Sequence, residues 1–213
     1  MALPALGGLL AIGEDAAIIA KRVYSDCVKS EAVKFVSSAP KRAVPDYRGV
    51  HRTHAWIRHF GVDPVRVPFA QGKGDVIVLS PWADRYEKRW PIMHWIFLAY
   101  ELLKACRKVR VIGPQRALST LEPIGQEEGI DNRIGQCSPS TWPDYFLDAA
   151  CVVSPDTGAV HMADAMGVPV VGLYGITKMA TFAPFWNPSH CIQADEVSDI
   201  TPSQVLASIE RAL

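Results

Sequence analysis

An excess of charge of either sign is what this chain lacks most plainly: 22 Lys and Arg stand against 22 Asp and Glu, a formal net charge of zero. Nucleic-acid binding normally needs a concentrated basic excess, so no nucleic-acid partner is expected. Cysteine is scarce and scattered. Cys27, Cys106, Cys137, Cys151 and Cys191 are odd in number, with no Cys-x-x-Cys pair and no His partner at zinc-finger spacing. That usage argues against a disulfide framework or a structural zinc site and fits a reducing cytosol. Also missing is the run of roughly 20 apolar residues that a membrane-spanning helix requires. Ala2 to Gly13 is apolar and uncharged, but no basic segment precedes it, and its Pro4 and paired glycines suit a packed helix end better than a signal-peptide core. A soluble protein is expected, one that can still work at a membrane surface.

The composition is otherwise that of a globular chain with a real core, 49% of its residues being hydrophobic. It divides near Pro68 to Lys73. Residues 1–70 are mixed: an apolar start, the candidate strand Ala16 to Ala20, a loop rich in Ser, Pro and Lys around Ser37 to Asp46, and an aromatic, His-rich helix around Thr53 to Phe60. Residues 74–213 are regular. Strands are expected at Asp75–Ser80, Val109–Gly113, Cys151–Ser154, Val168–Tyr174 and Cys191–Ala194. Between them fall helices at Ile92–Lys108, Ala117–Glu128, Thr141–Ala150 and Ala159–Met166, and a last helix opens with Thr201 as N-cap and Pro202 at its first position. Strands alternating with helices of this length predict an α/β domain on a doubly wound parallel sheet.

Two loops carry chemistry. The first, Ser80 to Pro91, follows a strand, precedes a helix and supplies Arg85, Lys88 and Arg89 with Trp82 and Trp90. Cations at the mouth of a parallel sheet suit a polyphosphate; charge alone favours the blander reading, a solvated basic loop with Trp90 packed into the core. The second is Ser154-Pro-Asp-Thr-Gly-Ala-Val-His161. A strand that stops there and restarts as a helix aims backbone N–H groups and the positive end of a helix dipole out of the sheet's carboxyl edge, where phosphate binds. The bland reading is that Asp156 only caps the helix.

Together the loops resemble the C-terminal nucleotide-sugar domain of glycosyltransferase family 9, the lipopolysaccharide heptosyltransferase family. The residues that carry the resemblance are Lys88-Arg-Trp-Pro91, then Ser154-Pro-Asp-Thr-Gly-Ala-Val-His161, then Gly167-Val-Pro-Val-Val-Gly-Leu-Tyr-Gly-Ile-Thr177, in that order. The resemblance implies a GT-B-like architecture: a C-terminal Rossmann-like domain over 74–213 holding the donor, and a smaller α/β acceptor-side domain over 1–70. It implies that Lys88 pairs with a donor diphosphate, with Arg85 nearby, and that Asp156 lies close to the donor sugar or ribose. Thr157 and Gly158 would place donors on the phosphates, and His161 would contact the diphosphate or fix the loop. The implied activity is inverting transfer of a heptose-like sugar from an ADP- or UDP-linked donor to a saccharide or lipid A core acceptor. Neither a metal nor a further cofactor is expected. The implied setting is the bacterial cytoplasm, at the periphery of the inner membrane.

The resemblance is weaker at the N-terminus. The family's first strand ends in a Gly-Asp loop bearing the proposed general base, followed by a helix like Leu-Pro-Ala-Leu. Met1 to Leu6 is similar to that helix, so the base is expected to fall outside this sequence, and Gly13-Glu-Asp15 is too weak an echo to replace it. A non-catalytic nucleotide-sugar-binding subunit is therefore the alternative expectation. Asp-Thr-Gly is also the signature of aspartic proteases, but those are all-β, and here the triplet sits in a strand–helix alternation. His51, His54 and His59 read as a polar helix face rather than a metal cluster; Trp95, Phe97 and Tyr100, and also Cys106 and Cys151, read as core. The loop Thr177 to Asn187, with Phe182, Pro184, Phe185 and Trp186, reads either as a cover for a base or acceptor or as a packed connection.

Overall fold

A computed structural model describes residues 50–55, 74–137 and 141–213. The expected N-terminal domain, its strand at Ala16 to Ala20 and most of the His-rich helix, His59 included, lie outside the described residues; within them, residues 52–55 are helical. The sheet described below belongs to the unit Pro68–Leu213.

Six strands form that sheet: β1 (Val76–Leu79), β2 (Lys108–Gly113), β3 (Ile130–Ile134), β4 (Ala149–Pro155), β5 (Val170–Tyr174) and β6 (Ile192–Gln193). Every pairing is parallel and the order is β3-β2-β1-β4-β5-β6. β1 and β4 are buried along their whole lengths, as strands covered on both faces must be. The connecting helices are α1 (Ile92–Lys104), α2 (Leu118–Gly125), α3 (Trp142–Phe146), α4 (Gly158–Met166), α5 (Met179–Phe182) and α6 (Pro202–Ala212).

Alternation along the strands splits the core in two. Ile77, Leu79, Val109, Val111, Cys151 and Val153 pack with Trp95, Leu98 and Leu102 of α1, Leu121 and Ile124 of α2, and Val205 and Ile209 of α6. Val76, Val78, Ile112 and Val152 pack with Phe146 of α3 and Ala159, Val160, Ala163 and Met166 of α4. Helices thus cover both faces, which is the doubly wound fold expected from the alternation. The strand order runs outward in both directions from the β1/β4 pair. In such sheets the crevice at the carboxyl ends of that central pair is the ligand site.

Several expectations need correction. β3 was not foreseen: Ile-Asp-Asn-Arg-Ile is polar because it is an edge strand bonded only to β2. The helix expected to run to Ala150 ends at Phe146, and Ala149 and Ala150 open β4, since their side chains are drawn into the core. The helix expected over Ala117–Glu128 is a single turn, Gln115–Ala117, followed by α2, which ends at Gly125 just after Pro123 removes a backbone donor. α1 stops at Lys104 rather than Lys108. Cys106 takes a left-handed conformation with φ of 57°, and its amide and that of Arg107 reach back to Leu103 and Leu102, closing the helix end. Cys106 is exposed and not a core residue, whereas Cys151 is buried as expected. The buried stripe of α1 is Trp95, Leu98, Ala99 and Leu102, at helical spacing, which puts Phe97 and Tyr100 on the outer face; Phe97 is 48% exposed. Among the described residues no helix is long and apolar enough to cross a membrane.

Candidate functional site

Both loops singled out above leave the central strand pair, the first from β1 and the second from β4. The first loop is built on its tryptophans. Trp90 is buried, its indole N–H donating to the Ile200 carbonyl at 2.8 Å and its ring meeting Trp95 edge-on at 4.9 Å. The expectation that Trp90 belongs to the core is correct, and the anchoring fixes the adjacent single-turn helix Tyr86–Lys88. Arg89 folds back onto its own loop. Its guanidinium lies over the Trp82 ring at 3.8 Å and its Nε donates to the Ala83 carbonyl at 2.7 Å.

Lys88 turns the other way. Its Nζ donates to Asp156 Oδ2 at 2.6 Å and to the Asp156 carbonyl at 3.2 Å, joining loops 68 residues apart. Asp156 is 6% exposed and Lys88 20%. The Asp156 amide is held in turn by the Leu173 carbonyl of β5 at 3.2 Å. His161, half exposed in the first turns of α4, places Nε2 3.9 Å from Asp156 Oδ1.

Asp156 is not the helix cap. Thr157 is: its Oγ1 accepts the Ala159 amide at 3.3 Å and lies 3.0 Å from the buried Ser154 hydroxyl. The first turn of an α-helix leaves amides without intrahelical partners, and Thr157 satisfies one of them. Gly158 opens the helix, and a Cβ there would come within 2.9 Å of the Trp142 ring. Trp142, the first residue of α3, was not singled out in the sequence; its contact with a glycine that follows it only distantly in the chain leaves no local signal.

Of the six residues named from the sequence, the structure therefore gathers Lys88, Asp156, Thr157, Gly158 and His161 at one end of the sheet. Arg85 stands apart, 59% exposed and 3.8 Å from Glu87. A cation that sequence reasoning missed is Arg116, on the loop after β2, whose guanidinium meets Asp84 of the first loop at 2.5 Å. The Trp82 indole N–H, and then Arg116, hold the Asp84 carboxyl below the usual carboxylate range.

The connection after β5 packs against α4. The buried Asp164 carboxylate accepts the amides of Trp186 and Asn187 at 2.9 and 3.1 Å, and the Tyr174 hydroxyl donates to the Phe182 carbonyl at 3.0 Å. Burial pushes the Tyr174 hydroxyl far up, and the neighbouring Cys191 thiol up to about 12, so both stay protonated at neutral pH. This segment contains α5, which the sequence did not announce.

A family model described as glycosyltransferase family 9 (heptosyltransferase) matches residues 57–205. The chain is similar to lipooligosaccharide heptosyltransferase 2 of Haemophilus influenzae, 30% identical over 136 residues that make up 59% of this chain and 38% of that protein. It is also similar to the lipopolysaccharide core heptosyltransferase OpsX of the same organism, 24% identical over 56% of this chain and 36% of that one. The chain thus spans less than two-fifths of the length of these curated relatives. Among solved structures, a family 9 glycosyltransferase from Veillonella parvula superposes with a TM-score of 0.67 at 17% identity, over 83% of this chain and 62% of that one. The E. coli heptosyltransferase WaaC with ADP gives 0.60 at 19% identity, over 75% and 55%. At these identities the structural likeness speaks for the fold.

Proposed function

The chain belongs to glycosyltransferase family 9, and on that premise we propose that the crevice between β1 and β4 holds a nucleoside-diphosphate sugar whose sugar is passed to a saccharide or glycolipid acceptor. The observation that carries this reading is the meeting of Lys88 and Asp156 beside the Thr157-capped start of α4, at the point where the strand order reverses. Helix amides and a fixed ammonium suit a diphosphate. When the glycosidic bond breaks, charge gathers on that diphosphate. Donors already aimed at it stabilise the transition state more than the ground state, so the same groups that bind also accelerate departure.

In this reading Lys88, Thr157, Gly158 and His161 face the diphosphate, Asp156 completes the site, and Arg85 contributes only long-range attraction. An ADP-linked heptose is the favoured donor, since one similar solved protein, the E. coli heptosyltransferase WaaC, is described both with ADP and with ADP-2-deoxy-2-fluoro heptose. A lipid A core saccharide is the corresponding acceptor, reached by inverting attack of an acceptor hydroxyl. No metal and no further cofactor takes part. Residues 1–70 form the acceptor side, 74–213 the donor side, and the protein works in the bacterial cytoplasm at the inner-membrane periphery.

Calorimetric titration with ADP, UDP and ADP-heptose, followed by turnover with a lipid A core acceptor, tests the reading. Binding of ADP and ADP-heptose with sugar transfer is the expected result. Failure to bind any of the three would overturn the donor site, and binding without transfer would leave a nucleotide-sugar-binding protein.

A further inference from the structure

We infer that Asp156 is a positioning residue for Lys88, and that it acts on the donor through that lysine rather than by touching the donor's sugar. The inference rests on the reading above, that the crevice takes a nucleoside diphosphate.

Lys88 ends a single-turn helix that has no side-chain cap and buries none of its residues. A lysine on such a support has a flexible four-carbon stem and much rotamer freedom to lose. What fixes its ammonium is Asp156 twice over, through Oδ2 at 2.6 Å and the backbone carbonyl at 3.2 Å. Asp156 is the rigid partner: it follows a fully buried strand, and its amide is tied to β5.

Two features make the pair permanent. The carboxylate is almost completely buried, so a diphosphate that drew Lys88 away would leave a buried negative charge uncompensated, which is strongly unfavourable. An ammonium has three protons, and Asp156 takes two, so one remains to meet a phosphate oxygen while the pair stays intact. The carboxylate's Oδ2 accepts from Lys88, and its Oδ1 faces His161 Nε2 at 3.9 Å. Its oxygens are turned to side chains of the site itself. Since the Lys88 charge is largely balanced by Asp156, the net attraction for the diphosphate comes from the amides and dipole of α4, and Lys88 supplies a located donor.

A double-mutant cycle on Asp156→Asn and Lys88→Met, read by calorimetry with ADP and with ADP-heptose, tests the inference, with thermal melts confirming that each variant is folded. Asp156→Asn alone should weaken both ligands by the same factor, about fivefold to tenfold, as the carboxylate that holds the Lys88 ammonium is replaced by a neutral amide oxygen. In the Lys88→Met background the same substitution should cause no further loss and should tighten ADP, because it removes an unpaired carboxylate beside the diphosphate. A loss confined to ADP-heptose would show direct contact with the sugar and overturn the inference. So would an equal loss in both backgrounds, or an unchanged or tighter affinity for Asp156→Asn alone. If the parent protein binds neither ADP nor ADP-heptose, the reading of the crevice as a donor site fails instead.

Discussion

The two ends of the sheet each carry an ion cluster, and they are built for opposite purposes. At the end where the strands begin, Arg110 of β2 is 14% exposed and uses its whole fork. Nε meets Asp131 of β3 at 2.6 Å, Nη1 and Nη2 grip Asp148 at 2.6 and 2.9 Å, and Nη1 also reaches the Tyr145 carbonyl at 3.1 Å. These bonds raise the Arg110 pKa and hold the Asp148 carboxyl below the usual carboxylate range. At the other end Lys88 makes two bonds to a single residue and keeps a proton in reserve, next to a helix N-terminus. A planar cation with its fork engaged ties strands together; a point cation with an unused donor beside uncommitted amides is suited to a ligand. The valence left over separates the two clusters.

The contrast is sharpest in ligand affinity, which only the cluster at the carboxyl end of the sheet should govern. Arg110→Ala should lower unfolding free energy by about 3 kcal/mol, at the lower edge for a broken buried pair because its carboxylates are partly solvated, with ADP affinity unchanged; a denaturant melt and a titration on the same sample check both. Lys88→Ala should cost about 2 kcal/mol of ADP binding, roughly thirtyfold, and some stability as well, because it leaves the buried Asp156 carboxylate unpaired. If Arg110→Ala weakens ADP as much as Lys88→Ala does, the division between the ends is wrong. Thr157→Val removes the cap of α4 and should cost about 1 kcal/mol of stability, while also weakening ADP by disordering the first turn.

Asp148→Asn probes the structural end by pH. The folded carboxyl titrates below its ordinary value, so its stabilisation is present above the unfolded pKa of about 3.9 and is lost as pH falls through the lowered folded one. The variant should therefore be less stable than its parent at neutral pH, with the gap closing in acid; urea midpoints at both pH values measure it. The smallest effect is expected of Arg85→Ala, less than about twofold on ADP affinity, as for an exposed, screened charge. A larger loss would put Arg85 in contact with the ligand.

Much of this was legible in the chain, for identifiable reasons. Thr201-Pro202 announced α6, and the structure adds the reciprocal bond of Gln204 to the Thr201 amide at 2.8 Å. The apolar runs of β1 and β5 are buried on both faces and were found by hydrophobicity alone. β3 was not, because Asp131, Asn132 and Arg133 have no strand signature and form a strand through pairing with β2 and the Arg110 bond. Phe97 and Tyr100 misled because residue type was weighed above helical angle. The site's ingredients could be read as motifs, but their arrangement could not. That Lys88 lands on Asp156, that Thr157 rather than Asp156 caps α4, and that Trp142 lies over Gly158 all depend on contacts between segments distant in sequence.

The Asp164 clamp has a consequence for how this protein tolerates change. By fixing the amides of Trp186 and Asn187 to α4, it divides the link between β5 and β6 into two shorter spans, each closed at both ends. Lengthening either span costs little, about 0.6 kcal/mol for each doubling, provided the clamp itself is kept. A grafted epitope or fluorophore loop therefore belongs near Asn187 to His190, on the far side of the clamp. Insertions between Asp164's two amide partners would break the clamp by pulling apart the donors that its buried carboxylate holds together.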